Sequence, residues 1–198
     1  MRSAVVRNTS AEANPCSQHH SPKRRWKATQ ERIWIFLVAS SSSAQQSPVR
    51  SLQEIRQEGV IIQKWDTSCG AAALATVLTF ALHEPVSERE VATGMLRMTE
   101  PIKVKHQGGF SLLDMKHFVE TRGLIGTGYR DLTFEQLITY NSPIVPVLQY
   151  GNPHFIVVRG LTSSGRVDIA DPGFGNRTLS VADFKSIWQS RIGFVVSR

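Results

Sequence analysis

The stretch QKWDTSCGAAALATVL, residues 63–78, decides how the rest of the chain is read. Residues 71–82, AAALATVLTFAL, combine strong helix formers with continuous apolar character, which predicts a buried central helix. Asp66, Thr67 and Ser68 just ahead of it are all N-cap types. Cys69 therefore stands where that helix begins, facing the partial positive charge and unpaired N–H groups of a helix N-terminus. Gly70 leaves the approach to the thiol uncrowded. Small residues also pack at helix starts, so this feature alone suits a structural cysteine as well as a nucleophile.

The 198 residues are enough for one domain with a sizeable core. A hydrophobic fraction of 41% with 9 prolines and 14 glycines is ordinary for a soluble globular protein. The net charge of +7 raises nucleic acid as a partner, and its distribution argues against it. Arg2, Arg7, Lys23, Arg24, Arg25, Lys27 and Arg32 stand against Glu12 and Glu31, so residues 1–44 carry +5. From Gln45 onward 16 basic residues oppose 14 acidic ones, without a basic stripe interleaved with aromatics.

The same leading segment runs from a basic stretch, KRRWKATQER, through a short apolar run, IWIFLVA, to the small-residue exit SSSSAQQ. That order predicts a secretory signal peptide with an upstream extension and cleavage after Ala44. The expected destination is then the periplasm or the exterior, and the cytoplasm if residues 1–44 are a mere tail. The apolar run is too short for a bilayer, which needs about 20 residues, so no integral membrane segment is expected in the mature chain. Cys16 falls in this segment. The remaining chain holds Cys69 as its one cysteine, which points to a nucleophile rather than a disulfide, redox pair or metal cluster.

Residues 45–58 read as a polar approach segment, GVIIQ as an apolar strand leading to the cysteine, and residues 59–198 as the folded domain. Ser87 and Glu90 form a capping box opening a helix. Residues 98–110 read as a loop, and Ser111–Arg122 as a helix stopped by Gly123. LIGTGY, PIVPVLQY, HFIVVRGL, RVDIADP and IGFVVS are candidate strands, with short helices at LTFEQLITY and ADFKSIWQS. Pro143 and Pro146 suit an edge or a strand start. Helices first and an antiparallel sheet afterwards predict an α+β domain.

A thiol attacks an amide as thiolate and needs a base. His83, His106 and His117 read as solvated surface residues. His154 opens an apolar strand, where a polar ring needs a reason to be. A two-residue turn at Ser163-Ser164, or a four-residue TSSG loop, pairs Ile156 with Asp171. His154 and Asp171 are then diagonal neighbours on one face, roughly 7–8 Å apart. A carboxylate there fixes the imidazole tautomer and leaves the other ring nitrogen for the thiol. A three-residue loop breaks this parity. The developing oxyanion needs donors, for which the Cys69 backbone N–H and the Gln63 side-chain amide are candidates.

At these residues the chain resembles the bacteriocin-processing, double-glycine leader peptidases, family 39 of the cysteine peptidases. The resemblance rests on QKWDTSCGAAAL, VSEREVA, GGFSLLDMKHFVETRGL, PHFIVVRG and ADPGFG, and runs from about Val60 to Val196. It implies a papain-like fold, with N-terminal helices packed on a C-terminal antiparallel sheet. It implies Cys69 as nucleophile, His154 as base, Asp171 as orienting acid and Gln63 as oxyanion donor, with no cofactor and no metal. The implied substrate is a peptide or protein cut after a small-residue pair such as Gly-Gly. Many members precede the cysteine with aspartate, where this chain has Ser68. Members commonly sit at the front of an exporter with an ATPase; this sequence has no GxxxxGK[ST] loop, so a separate export or secretion apparatus is the expected partner. Two other readings share the geometry: a non-catalytic module of the same fold that binds a peptide or pilus subunit, and acyl transfer to an amine.

Overall fold

A computed structural model describes residues 49–198. The expected signal segment and Cys16 lie outside the described residues. Within them the chain forms α1 (Leu52–Gln57), α2 (Cys69–Thr76), α3 (Glu88–Leu96), α4 (Pro101–Gln107) and α5 (Leu112–Thr121) before any strand. Strands β1 (Ile125–Tyr129), β2 (Ile144–Gln149), β3 (Asn152–Leu161), β4 (Val167–Asp171), β5 (Gly175–Leu179) and β6 (Gly193–Ser197) follow, with α6 (Phe134–Leu137) and α7 (Val181–Ile187) between them. The expected α+β, papain-like arrangement is the observed one.

The alanine run explains why α2 is central. Ala71, Ala72, Ala73, Leu74 and Ala75 are all fully buried, and small side chains let neighbouring elements approach the helix from every side. The helix continues as a π turn over Val77–Ala81. Around it α3 and α5 contribute Val91, Met95, Met115, Phe118 and Val119, and the sheet contributes Ile144, Val157, Ala170 and Phe194. Removing the side chain of a residue such as Leu74 from this packing costs about 2–5 kcal/mol.

The six strands form one antiparallel sheet in the order β1-β6-β2-β3-β4-β5. Side chains alternate across it, so Val157 and Ala170 meet α2 while Ile156, Val158, Val167 and Ile169 build a second core with Phe184 of α7 and Trp188. Pro146 is tolerated inside this sheet because β2 pairs with β6 only at Ile144↔Phe194, which leaves its missing N–H without a ladder partner to lose.

Four local expectations are corrected. The predicted loop 98–110 contains α4, which starts with Pro101 in the first turn and ends at Gly108 with φ 74°. Only Val104 of α4 is buried, too little for a period to show. The approach segment contains α1, capped by reciprocal Ser51 and Glu54 bonds and burying no residue of its own. GVIIQ is not a strand; the Ile61 N–H donates to Thr76 Oγ1 and the Gln63 N–H to the Pro172 carbonyl instead. Ser68 is the N-cap of α2 by position, yet its hydroxyl does not cap the helix.

Candidate active site

Cys69 is the first residue of α2 and is 8% exposed. The turn that presents it is fixed from behind. Ser68 Oγ donates to Glu88 Oε1 at 2.5 Å and lies 2.7 Å from the Trp65 carbonyl oxygen, and Glu88 Oε1 also accepts from the Lys64 N–H at 2.9 Å. Glu88 is the first residue of α3 and only 3% exposed, so its carboxylate ties residues 64–68 to the helix behind them. Gly70 also sits close against neighbouring side chains. A Cβ there would lie 2.7 Å from the Met115 methyl and 3.4 Å from the Phe155 ring.

His154 and Asp171 come together by a route that differs from the expected one. The loop between β3 and β4 has three residues, Ser163–Gly165, because the Thr162 N–H donates to the Arg166 carbonyl and Leu161 faces Val167. That register alone would put His154 and Asp171 on opposite faces. A β-bulge between Val158 and Gly160 shifts the pairing by one, giving Val158↔Ile169 and Val157↔Ala170. Continuing that ladder sets Asp171 opposite Ile156 and diagonal to His154. The bulge residue Arg159 is held by Asp168 at 3.2 Å and Asn176 at 2.7 Å, and Gly160 carries the φ of 124° the distortion needs.

The resulting contact is direct: His154 Nε2 lies 2.7 Å from Asp171 Oδ1. Asp171 is fully buried, and the same oxygen accepts from the Gly173 N–H at 2.9 Å. With Nε2 taken, Nδ1 is the ring nitrogen left, and the imidazole also contacts the Cys69 side chain. Burial alone would push the imidazole towards neutrality. The hydrogen bond and charge of Asp171, with the Cys69 contact, outweigh it and raise the His154 pKa to about 9. Burial likewise opposes ionisation of Asp171, but His154, the Gly173 N–H and Arg177 together hold its carboxyl below the ordinary aspartate range.

Gln63 reaches the same place. Its N–H donates to the Pro172 carbonyl at 2.8 Å, which joins the segment before Cys69 to the residue after Asp171. Its side-chain Nε2 donates to the Trp65 carbonyl at 3.3 Å, while Oε1 is buried without a partner. Cys69, His154 and Asp171 thus meet, with the Gln63 backbone joined to the residue after Asp171, and His83, His106 and His117 are exposed as expected. Among the described residues no group of three or more His, Cys, Asp or Glu side chains is placed to hold a metal ion.

Sequence reasoning missed three members of this neighbourhood. Arg177 Nη2 lies 2.8 Å from Asp171 Oδ2, off the hydrogen-bond line, so the contact is one of charge rather than a directed bond. Its guanidinium also donates to Gln149 Oε1 at 2.5 Å and sits 5.5 Å above the Phe174 ring. Arg177 lies on β5, a strand the apolar pattern did not reveal. Gly173 abuts the pair itself, since a Cβ there would stand 3.4 Å from Asp171 Oδ1 and 3.6 Å from His154 Cε1. Glu88 was noticed only as part of a helix start, although S-E-R-E offered a second carboxylate beside the capping one.

A thiol at a helix start, followed in chain order by an imidazole and a carboxylate on adjacent antiparallel strands, is the arrangement of a papain-like cysteine peptidase. The chain belongs to the Peptidase C39 family, whose model matches residues 57–198. It is 36% identical over 151 residues to the probable functional amyloid protease FapD of Pseudomonas aeruginosa, covering 76% of this chain and 66% of that one. It is 40% identical over 141 residues to the protein of the same name from Pseudomonas fluorescens, covering 71% and 61%. The match therefore spans less than two thirds of the length of these relatives. Two crystal structures share the fold. A double glycine motif protease from an AMS/PCAT transporter, in complex with the leader peptide, is 24% identical with a TM-score of 0.56 over 70% of this chain and 89% of that one. The peptidase domain of Streptococcus ComA, a bifunctional ABC transporter involved in quorum sensing, is 19% identical with a TM-score of 0.57 over 70% and 96%. No helix among the described residues is long and apolar enough to cross a membrane.

Proposed function

We propose that this chain is a thiol endopeptidase that cuts a protein or peptide after a small-residue pair of the Gly-Gly type. Cys69 is the nucleophile, His154 the acid and base, Asp171 the group that orients and charges the imidazole, and Gln63 with the Cys69 N–H the oxyanion donors. The observation that carries the reading is the 2.7 Å contact between His154 Nε2 and the fully buried Asp171, with Nδ1 left for the thiol. At neutral pH the imidazole is cationic, and the sulfur beside it attacks the carbonyl carbon as the nucleophile. As the carbon–nitrogen bond breaks, the proton on Nδ1 passes to the leaving amine. Water then gives a proton to the same nitrogen while its oxygen attacks the thioester, releasing the acid and restoring the thiolate–imidazolium pair. The Gln63 side chain turns its amide towards the carbonyl oxygen when substrate replaces the weak 3.3 Å bond to Trp65. The likeness to proteins named as functional amyloid proteases supports an amyloid protein as the substrate, and the order of basic, apolar and small residues ahead of Gln45 supports export of the chain and a separate secretion apparatus as its partner.

Mass spectrometry of Gly-Gly peptides incubated with the chain, with Cys69→Ala and with His154→Ala tests this. The expected result is cleavage after the second glycine, reduced by about 10⁴-fold or more in each variant. Retention of tight peptide binding without any cleavage by the wild-type chain would favour a binding module of the same fold. An added amine that captures the acyl group faster than water would move the assignment to acyl transfer.

A further inference from the structure

Beside the pair formed by His154 and Asp171 a groove of about 570 Å³ runs between α1 and the segment after Asp171. Leu52, Arg56 and Ile62 line one side and Gly173 and Phe174 the other. Two of its walls are apolar side chains left in solvent, since Leu52 is 81% and Phe174 53% exposed. The Phe174 ring is not free to wander. The Arg177 guanidinium lies 5.5 Å from it on one side, and Tyr150 packs against it at 6.3 Å. The opposite wall is equally fixed. Gly175, at φ 80°, brings β5 so close to α1 that a Cβ there would fall 2.4 Å from the Arg56 carbonyl oxygen. Asn176 Nδ2 also donates to the Ile55 and Glu58 carbonyls.

Charge narrows what fits. Glu54 is engaged in capping Ser51, and Glu58 pairs with Arg50 at 3.1 Å. Arg56 is the charged residue lining the groove, and no ion pair is formed by it among the described residues. Leu52 and Arg56 precede the 57–198 stretch that matches the family model, whereas Ile62, Gly173 and Phe174 lie within it.

The chemistry of the thioester step gives the groove a side. The leaving amine must meet the proton on His154, so the residues after the scissile bond lie on the imidazole side of the thiol. Gly173 lines the groove, and a Cβ on it would stand 3.6 Å from His154 Cε1. We infer that this groove binds the substrate residues that follow the scissile bond, taking an apolar side chain between Leu52 and Phe174 and an acidic one at Arg56. The inference rests on the assignment of His154 as the acid for the leaving amine.

The experiment uses the full chain and four substrates that share one sequence up to Gly-Gly. Three continue with Leu-Glu, Leu-Lys or Ser-Ser, and the fourth ends in a coumarin amide with nothing beyond it. For the wild-type chain, kcat/KM for Leu-Glu should exceed that for Ser-Ser by roughly 10-fold or more. Normalised to the coumarin amide, Leu-Glu cleavage should fall about 10-fold in Phe174→Ala and in Leu52→Ala, the latter a surface change with little bearing on folding. Arg56→Glu should reverse the order of Leu-Glu and Leu-Lys. Equal normalised rates for all three peptides, or for wild type and variants, overturn the groove assignment while turnover of the coumarin amide leaves the peptidase intact. Absence of turnover on every substrate removes the peptidase reading itself and the groove with it.

Discussion

The two halves of the site are built on the same plan by different means. On one side Cys69 heads a helix and the buried carboxylate of Glu88 ties down the turn before it. On the other, His154 heads a strand and the buried carboxylate of Asp171 holds the ring. The first half is almost entirely local, spanning Gln63 to Glu88. The second needs two strands in one register, a three-residue loop and a bulge that corrects it. The difference teaches where precision resides: Glu88 holds the backbone ahead of the thiol, whereas Asp171 acts on the reacting ring itself.

Removing each carboxylate separates these roles. Asp171→Ala takes away the acceptor for Nε2 and the charge that favours the imidazolium, and leaves Arg177 without its carboxylate partner. A fall in kcat/KM on the order of 10² to 10⁴ is expected, the span of a general acid–base contribution. Glu88→Ala instead frees Ser68 and the Lys64 N–H, at a stability cost of about 1–3 kcal/mol. Its kcat/KM at a temperature where the fold is intact should fall far less. Steady-state rates and thermal melts on both variants check the contrast, which collapses if Glu88→Ala loses as much activity as Asp171→Ala. Asp171→Asn sharpens it further. The amide oxygen can still accept from Nε2–H, but without the negative charge the imidazolium is less favoured and the alkaline limb of kcat/KM should move below pH 9.

The same half of the site makes stability depend on pH. His154 is raised from 6.5 to about 9, so the stability it contributes is complete below pH 6.5 and is lost as the pH climbs through 9. Asp171 is lowered from 3.8, so its contribution is complete above pH 3.8 and is lost only as the pH falls through the depressed value. The ion pair therefore stabilises most between about pH 4 and 6.5. The melting-temperature difference between wild type and His154→Ala should be largest in that window and shrink above pH 9, while the lost packing contributes equally throughout. A difference that stays constant from pH 5 to 10 would mean that His154 is not held as an imidazolium beside Asp171.

This asymmetry also explains what could be read from the amino-acid sequence. Cys69 at a helix start follows from the alanine run and the polar residues ahead of it, all within a few turns. Gln63 follows by proximity, although its neighbours form an irregular segment rather than a strand. His154 stood out because a polar ring opens an apolar strand. Asp171 was correctly paired with it on the assumption of an even loop, and the loop is odd; the bulge at Arg159 compensates through side-chain partners on β4 and β5 that no local pattern announces. Arg177 stayed hidden for the same reason. Its strand, GNRTL, has no apolar alternation, although Pro172-Gly173 marks the turn before it, and only the sheet edge offered by β4 makes it extended. The helices α1 and α4 were invisible because they bury almost nothing, so capping rather than periodicity was their signature.

The bulge can be probed with two glycines of the same hairpin. Gly160 has φ 124° and Gly165 has φ 73°, and a Cβ on either would meet nothing within 4 Å. Substitution by alanine at each is therefore opposed by backbone conformation alone, at about 1–3 kcal/mol. Gly165 lies in the loop tip, where a small adjustment is absorbed without reaching the site. Gly160 lies at the bulge, and any relaxation of its backbone loosens the one-residue shift that sets His154 and Asp171 on the same face. Comparable drops in melting temperature are expected for the two variants, with kcat/KM reduced severalfold in Gly160→Ala and unchanged in Gly165→Ala. If both variants keep full activity, the register around His154 is held by β2 alone. The pairing of Val147 with His154 and Ile144 with Val157 would then be the feature that fixes the imidazole.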